Sequence, residues 1–222
     1  MFYICGAMGI IEVDTSRCQI YIQSHFFLYG NALSETIRAD MQDEMNTMWN
    51  QPRALVWLHA TPYLVNFNIE VHVNFQLLEN EVLTNTNPRH NYFRVEEFVK
   101  GNISFVDGIG CNTGMFKLEN LYKGSTTASH EYGHTLGLVH PTDLDIRGKG
   151  KPGIMYPRGT LVDPNYQYNP AARAGEDGGT LCPIHRVVQS NDIELLRLAE
   201  KIQRKQWVLG AFSSRYHEAH MA

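Results

Sequence analysis

The sequence predicts a mixed α/β (α+β) domain: a twisted mixed sheet backed by one helix, with a histidine-bearing helix and a C-terminal helix. Three observations predict it. Ile69, Val71, Val73 and Phe75 alternate with Glu70, His72, Asn74 and Gln76, the period of a strand with one buried face. Two other segments repeat at helical spacing, Ile37, Met41, Met45 and Met48, then Ile193, Leu196, Ala199 and Ile202, so each set shares one face of a helix. The total of 222 residues suits one domain with a substantial core.

The elements follow in order. Residues 1–11 are apolar but short, carry no Lys or Arg and run into Glu12 and Asp14, a poor secretory signal and a better buried strand. Residues 17–29 read as a strand, with Ile20, Ile22 and Phe26 on one face and Tyr21 and Phe27 on the other. Gly30-Asn31 ends it, and Ser34 is placed to cap a helix running to about Trp49. Its methionines are expected to fill gaps behind the sheet. Strands are expected at 55–59 and 68–77. His72 falls on the polar side of the latter and reads as a surface histidine. Residues 80–91, polar and containing Pro88, read as a loop. Residues 92–99 and 102–106 are strand-like, and 107–110 form a turn. Residues 115–122 fit either an edge strand or a plain connecting loop. Ser125 or Thr126 caps the next helix.

Two long connections follow. Residues 141–153 are rich in Gly, Asp and Lys. Residues 158–186 contain Pro164, Pro170, Pro183 and a glycine-rich run at 175–179, and a segment this long without regular structure usually serves a function. Tyr166 and Tyr168 in it could contact a substrate or simply anchor a surface loop. Ser190 looks like the cap of a closing helix over 191–206. The tail His217-Glu218-Ala219-His220 reads as a frayed terminus rather than a metal site.

Composition narrows the function. Apolar content of 43% and a formal net charge of −4 describe an ordinary globular chain and argue against nucleic acid as the partner. There is no run of eighteen apolar residues and hence no transmembrane segment. Cys5, Cys18, Cys111 and Cys182 lack zinc-knuckle spacing and are expected as buried thiols or disulfides.

The chemistry is concentrated in His130-Glu131-Tyr132-Gly133-His134-Thr135-Leu136-Gly137-Leu138-Val139-His140. This fits H-E-x-x-H-x-x-G-x-x-H at every fixed position, a match that chance would give roughly once in ten thousand chains of this length. His130 and His134 are four apart, one helical turn, so both imidazoles reach one cation. Gly137 lets the chain leave the helix through a conformation that only glycine enters cheaply, and the turn returns His140 as a third ligand. Three neutral nitrogens and an open position describe catalytic zinc (Zn2+), not structural zinc. Glu131 sits where a carboxylate can take a proton from a zinc-bound water. Leu136, Leu138 and Val139 are expected to pack inward.

These eleven residues resemble the zinc-binding consensus of the metzincin metallopeptidases. Gly153-Ile154-Met155-Tyr156-Pro157 is similar to that clan's Met-turn, in its matrixin form, and residues 189–195 resemble the start of the matrixin C-terminal helix. The connection between His140 and Met155, and the segment 158–186, are longer than in matrixins. The resemblance implies a metzincin-like zincin fold: one catalytic domain over 1–222, with an upper subdomain to about 137 and a lower one over 138–222, and the active-site helix along the bottom of the cleft. It implies Met155 as an apolar floor beneath the zinc, Tyr156 and Pro157 as a wall of the substrate pocket, and residues 115–121 as the edge strand to which a substrate adds. It gives Cys5 no latency role, because Cys5-Gly6 lacks the surrounding motif.

The expected activity is zinc-dependent endopeptidase action on a protein or peptide, in a chain that is exported or secreted by a route the sequence does not reveal, with a cytoplasmic location as the alternative. Asp143 and Asp145 raise calcium (Ca2+) as a second ion. Two rivals stand beside this reading. One is a toxin or effector using the same chemistry on a single target, for which an inhibitor or immunity protein would be a partner. The other is an inactive zinc-binding interaction module, against which Glu131 speaks.

Overall fold

Period-two hydrophobicity in the first half of the chain supplies six strands of an eight-stranded mixed sheet. The computed structural model describes residues 9–168, 180–213 and 215–219. Cys5 and most of the expected N-terminal strand, Pro170, the glycine-rich run at 175–179 and His220 lie outside the described residues.

The central strand is β2 (Gln19–Tyr29), whose Ile20, Ile22, Phe26 and Leu28 are fully buried. One edge of β2 pairs in parallel with β4 (Thr61–Val73). The other edge is shared: β1 (Gly9–Asp14) runs antiparallel to its first half, and β5 (His90–Glu96) runs parallel to its second. Beyond β4 lies β3 (Leu55–Leu58), joined to it as a hairpin. Beyond β5 come β7 (Thr113–Lys117), parallel, and then β6 (Phe105–Val106), antiparallel. A short β8 (Val208–Leu209) pairs with β1. The mixed sheet with backing helices is the architecture that the alternation of strand and helix periods predicts.

Helix α1 (Glu35–Asn50) starts where Ser34 accepts a hydrogen bond from the Ile37 amide at 3.2 Å. Met41, Met45 and Trp49 bury its apolar face against the sheet. Its neighbouring face holds a ladder of amides. Gln42 Oε1 accepts from the Val71 amide at 2.9 Å; Asn46 accepts from the Ile69 amide and donates to its carbonyl; Asn50 does the same with Phe67. Four residues of helix rise about 6 Å and two residues of strand about 6.6 Å, so side chains four apart meet alternate backbone groups of β4. This satisfies the stretch of β4 that β3 is too short to cover, and closes an edge that would otherwise be exposed.

Four elements differ from expectation. β4 begins earlier and ends at Val73, leaving Phe75 71% exposed. Within 80–91 the chain forms a short helix, α2 (Glu79–Leu83), because Glu81 reaches back to accept the Leu78 amide at 2.8 Å. Residues 115–121 do not form the edge: β7 lies inside the sheet, Leu118–Leu121 is a 3-10 turn, and the edge strand is the two-residue β6. The C-terminal helix is broken into α4 (Ser190–Glu194) and α5 (Leu198–Gln203) by Arg197 at φ 55°. In a straight helix Leu198 would point about 140° away from Ile193; the break lets Ile193, Leu196 and Leu198 all bury.

The tail is anchored rather than frayed. His217 Nε2 meets the Asp107 carboxylate at 2.9 Å, the His217 amide donates to Tyr29 Oη at 3.0 Å, and Tyr216 stacks on Tyr29. Cys18, Cys111 and Cys182 carry free thiols. Among the described residues no helix is long and apolar enough to cross a membrane.

Candidate metal centre

Helix α3 (Thr127–Thr135) is buried along almost its whole length, and its N-terminus is held from three directions. Ser125 Oγ accepts from the Thr127 amide at 3.3 Å. The Glu44 carboxylate, reaching across from α1, accepts from the Thr126 amide at 3.3 Å and from Ser129 Oγ at 3.4 Å, placing negative charge at the positive end of the helix dipole. Thr126 itself sits at φ 57°, and its hydroxyl donates to the Pro183 carbonyl at 3.1 Å. Along the buried side, Trp49 Nε1 donates to the Ser129 carbonyl at 3.1 Å and Tyr132 Oη shares a hydrogen bond with Ser24 Oγ at 2.9 Å.

The helix ends as the glycine predicts. Gly137 has φ 99°, its amide donates to the His134 carbonyl at 3.0 Å, and the Leu138 amide donates to the Gly133 carbonyl at 3.0 Å. Those two bonds make a Schellman motif. Leu136 and Leu138 bury, whereas Val139 is 62% exposed and borders the groove instead of the core. The turn delivers His140 to the two helical histidines.

The three rings meet through their Nε2 atoms. His140 Nε2 lies 3.0 Å from His130 Nε2 and 3.1 Å from His134 Nε2. His130 Nδ1 bonds the Ile154 carbonyl at 2.7 Å and His134 Nδ1 bonds the Leu138 carbonyl at 2.8 Å. A carbonyl only accepts, so each Nδ1 carries the proton and each Nε2 presents a bare lone pair. Burial lowers the pKa of all three, that of His130 well below its ordinary value and that of His140 to about 4, so the neutral ligand form prevails. The bare lone pairs of His130 and His134 face His140 Nε2, which can meet them by donating a proton or by sharing a cation with them. Zinc–nitrogen bonds of about 2.0–2.1 Å in a tetrahedron set neighbouring nitrogens about 3.3–3.4 Å apart, so the donor set fits a zinc ion.

Glu131 is 6% exposed and beside this cluster. Burial raises its carboxyl to about 8, while the Arg186 guanidinium and the Val106 amide of edge strand β6 pull it back; a neighbouring metal cation pulls in the same direction. Arg186, brought in by the 3-10 turn Pro183–His185, is itself 6% exposed. Among the described residues its Nε has no hydrogen-bond partner; burial lowers its pKa to about 10, opposed first by the charge of Glu131.

A groove of about 580 Å³ runs past these groups, bordered by β6, Val139, Pro157 and Arg186. A second cavity of about 350 Å³, between α1 and residues 184–187, shares Tyr122, Ser125 and Arg186 with it. Met155 is buried beneath α3, so close to Gly133 that a Cβ there would strike its sulfur. Tyr156 packs with Ile146, Val162, Leu181 and Tyr166. Asp143 and Asp145 pair with Lys149 and Arg147 of their own loop. Tyr168 stands 64% exposed beneath the Arg158 guanidinium. Sequence reasoning missed Arg186, Glu44 and the Val106 amide, all of which reach the centre from segments distant in sequence.

No family model and no curated protein matches this chain. Among solved structures it is similar to the crystal structure of archaemetzincin from Methanopyrus kandleri, at 11% identity and a TM-score of 0.39, over 81% of this chain and 96% of that one. A likeness this faint decides nothing about chemistry, which rests on the residues of the groove.

Proposed function

We propose that this chain is a zinc-dependent endopeptidase of metzincin type. The convergence of three imidazole Nε2 atoms beside a buried glutamate, on the wall of an open groove, is the observation that carries this reading. His130, His134 and His140 would hold the ion, with Ile154 and Leu138 carbonyls fixing two of the rings. Zinc in such a site supplies Lewis acidity toward a peptide carbonyl and lowers the pKa of water to about 7.

The chain's own groups do the rest. Glu131, as carboxylate, accepts the proton of the attacking water on a carboxylate oxygen and passes it to the leaving amine. Arg186 and the Val106 amide keep that carboxyl from being stranded in its protonated form. Edge strand β6, whose Val106 amide is held by Glu131, borders the groove along which an extended peptide would lie. Met155 supports the helix from below, and Pro157 borders the groove, so the segment similar to the matrixin Met-turn serves both floor and rim.

The test is cleavage of an unbiased peptide library by zinc-loaded wild type and Glu131→Ala, with zinc content measured for both. Cleavage by wild type alone, at equal zinc content, is expected. Full activity in Glu131→Ala would sink the mechanism. Silence from a folded, zinc-loaded wild type would shift the reading to a single-target effector or a binding module.

A further inference from the structure

A second set of metal-ligating side chains lies on the face of the sheet opposite α1 and α3. Odd-numbered residues of β4, Val65 to Val71, bury toward α1, so the even-numbered Glu70 and His72 project the other way. In the parallel pairing of β2 with β4, His25 stands directly across from Glu70, and Phe27 across from His72. Three donor atoms therefore meet above two adjacent strands. His25 Nδ1 lies 3.2 Å from His72 Nε2, and Glu70 Oε2 lies 3.5 Å from each nitrogen.

His25 Nδ1 and His72 Nε2 stand within hydrogen-bond distance of each other, so the carboxylate is what separates an ordinary ion pair from a metal site. A charge-assisted bond between imidazole and carboxylate closes to about 2.7–2.9 Å, and Glu70, 62% exposed and free to rotate, has not closed to either ring. Three ligands of one tetrahedral ion instead stand about 3.3–3.4 Å apart. The cleft histidines stand at a comparable spacing, 3.0 and 3.1 Å. The rings are also held: those of His25 and His72 lie within 7° of parallel, and Phe27 packs on His72 at 5.0 Å and on His90 at 4.7 Å. His90 leans on His25 from β5, with ring centroids 5.9 Å apart.

We propose that His25, Glu70 and His72 form a second, solvent-facing site for a divalent first-row transition-metal ion, clamping β2 to β4. Two imidazoles and one carboxylate are borderline donors that select zinc or copper over calcium or magnesium. His72, read from the sequence as a surface histidine, is then a ligand. With three protein ligands the site stays open to water, and it stands or falls independently of the cleft.

The experiment titrates the metal-free full chain with Zn2+ by calorimetry, with metal content measured after gel filtration. Wild type is expected to take two equivalents. His72→Ala should lose one and keep the other, weakening the lost equivalent about 100-fold or more, while His134→Ala should lose the cleft equivalent and keep the sheet one. Glu70→Gln, a change at an exposed carboxylate, repeats the test if His72→Ala fails to fold. A single equivalent in wild type, a second equivalent bound only at millimolar zinc, or unchanged stoichiometry in both sheet variants would overturn the proposal.

Discussion

Gly133→Ala sets two effects against each other, and the structure decides between them. On helix propensity alone the change stabilises α3 by about 0.8–1.0 kcal/mol. The new methyl, however, would overlap Met155 Sδ and come within 3.2 Å of its Cε and 3.3 Å of Trp49 Cζ2. Met155 is 2% and Trp49 0% exposed, so neither can swing into solvent. Overpacking costs about 1–3 kcal/mol, and overlap with a buried sulfur that cannot move belongs to the upper half of that range, about 2–3 kcal/mol, which leaves a net loss of about 1–2 kcal/mol. For a domain of this size that lowers Tm by roughly 2–8 °C, readable by calorimetry on the metal-free protein. Because Ile154, next to Met155, orients His130, zinc affinity should fall as well. Met155→Ala should relieve the clash, so the double variant should show a coupling of about 1 kcal/mol or more. Gly133→Ala as stable as wild type, or strict additivity with Met155→Ala, would refute the reasoning.

The other expectations are shorter to state. Asn46→Ala strands both the amide and the carbonyl of Ile69 and should cost about 2–4 kcal/mol; chemical denaturation showing less than about 1 kcal/mol would mean water replaces the side chain freely. Burial works to raise the Asp107 pKa, but its bonds and charges from His217, Thr113 and Arg215 outweigh it and hold the carboxyl below its ordinary value. A depressed carboxylate stabilises the fold above its unfolded value of about 3.9 and loses that contribution as pH falls through the folded one. Stability measured from pH 7 down to 3 should therefore drop more steeply in wild type than in Asp107→Asn; parallel curves would contradict this. Arg186→Gln removes a charge that lowers the Glu131 pKa, so the acid limb of kcat/KM should move to higher pH. A limb that stays put would show that the two groups are not coupled.

Legibility in the sequence followed the range of the interaction. The meeting of His130, His134 and His140 rests on one helical turn and one glycine, both local, and could be read directly. So could α1, whose Ser34 cap and methionine stripe lie within its own sixteen residues. What depends on distant pairing left no trace. Residues 102–106 read as strand-like, but nothing near them marks β6 as the edge, a place it takes only because β7 lies between it and β5. Glu44 looks like any polar residue on a helix until α3 docks above it. Arg186 closes a long irregular segment, where no pattern tells a buried cation from a solvated one. The tail looked frayed because nothing near His217 announces Asp107 or Tyr29. Gln42, Asn46 and Asn50 do repeat every fourth residue, a signal that apolar periodicity does not register.

That amide repeat also bears on which changes of chain length the protein tolerates. Helix α1 is indexed on one side to the backbone of β4 and on the other, through Trp49 and Glu44, to the start of α3. One residue inserted between Glu44 and Asn46 would turn everything after it by about 100°, swinging Asn46, Trp49 and Asn50 off both partners together. Even four extra residues, which bring the angle back to within about 40°, would push the later amides about 6 Å past their positions on β4. Helix α1 works as a ruler between β4 and the start of the histidine helix.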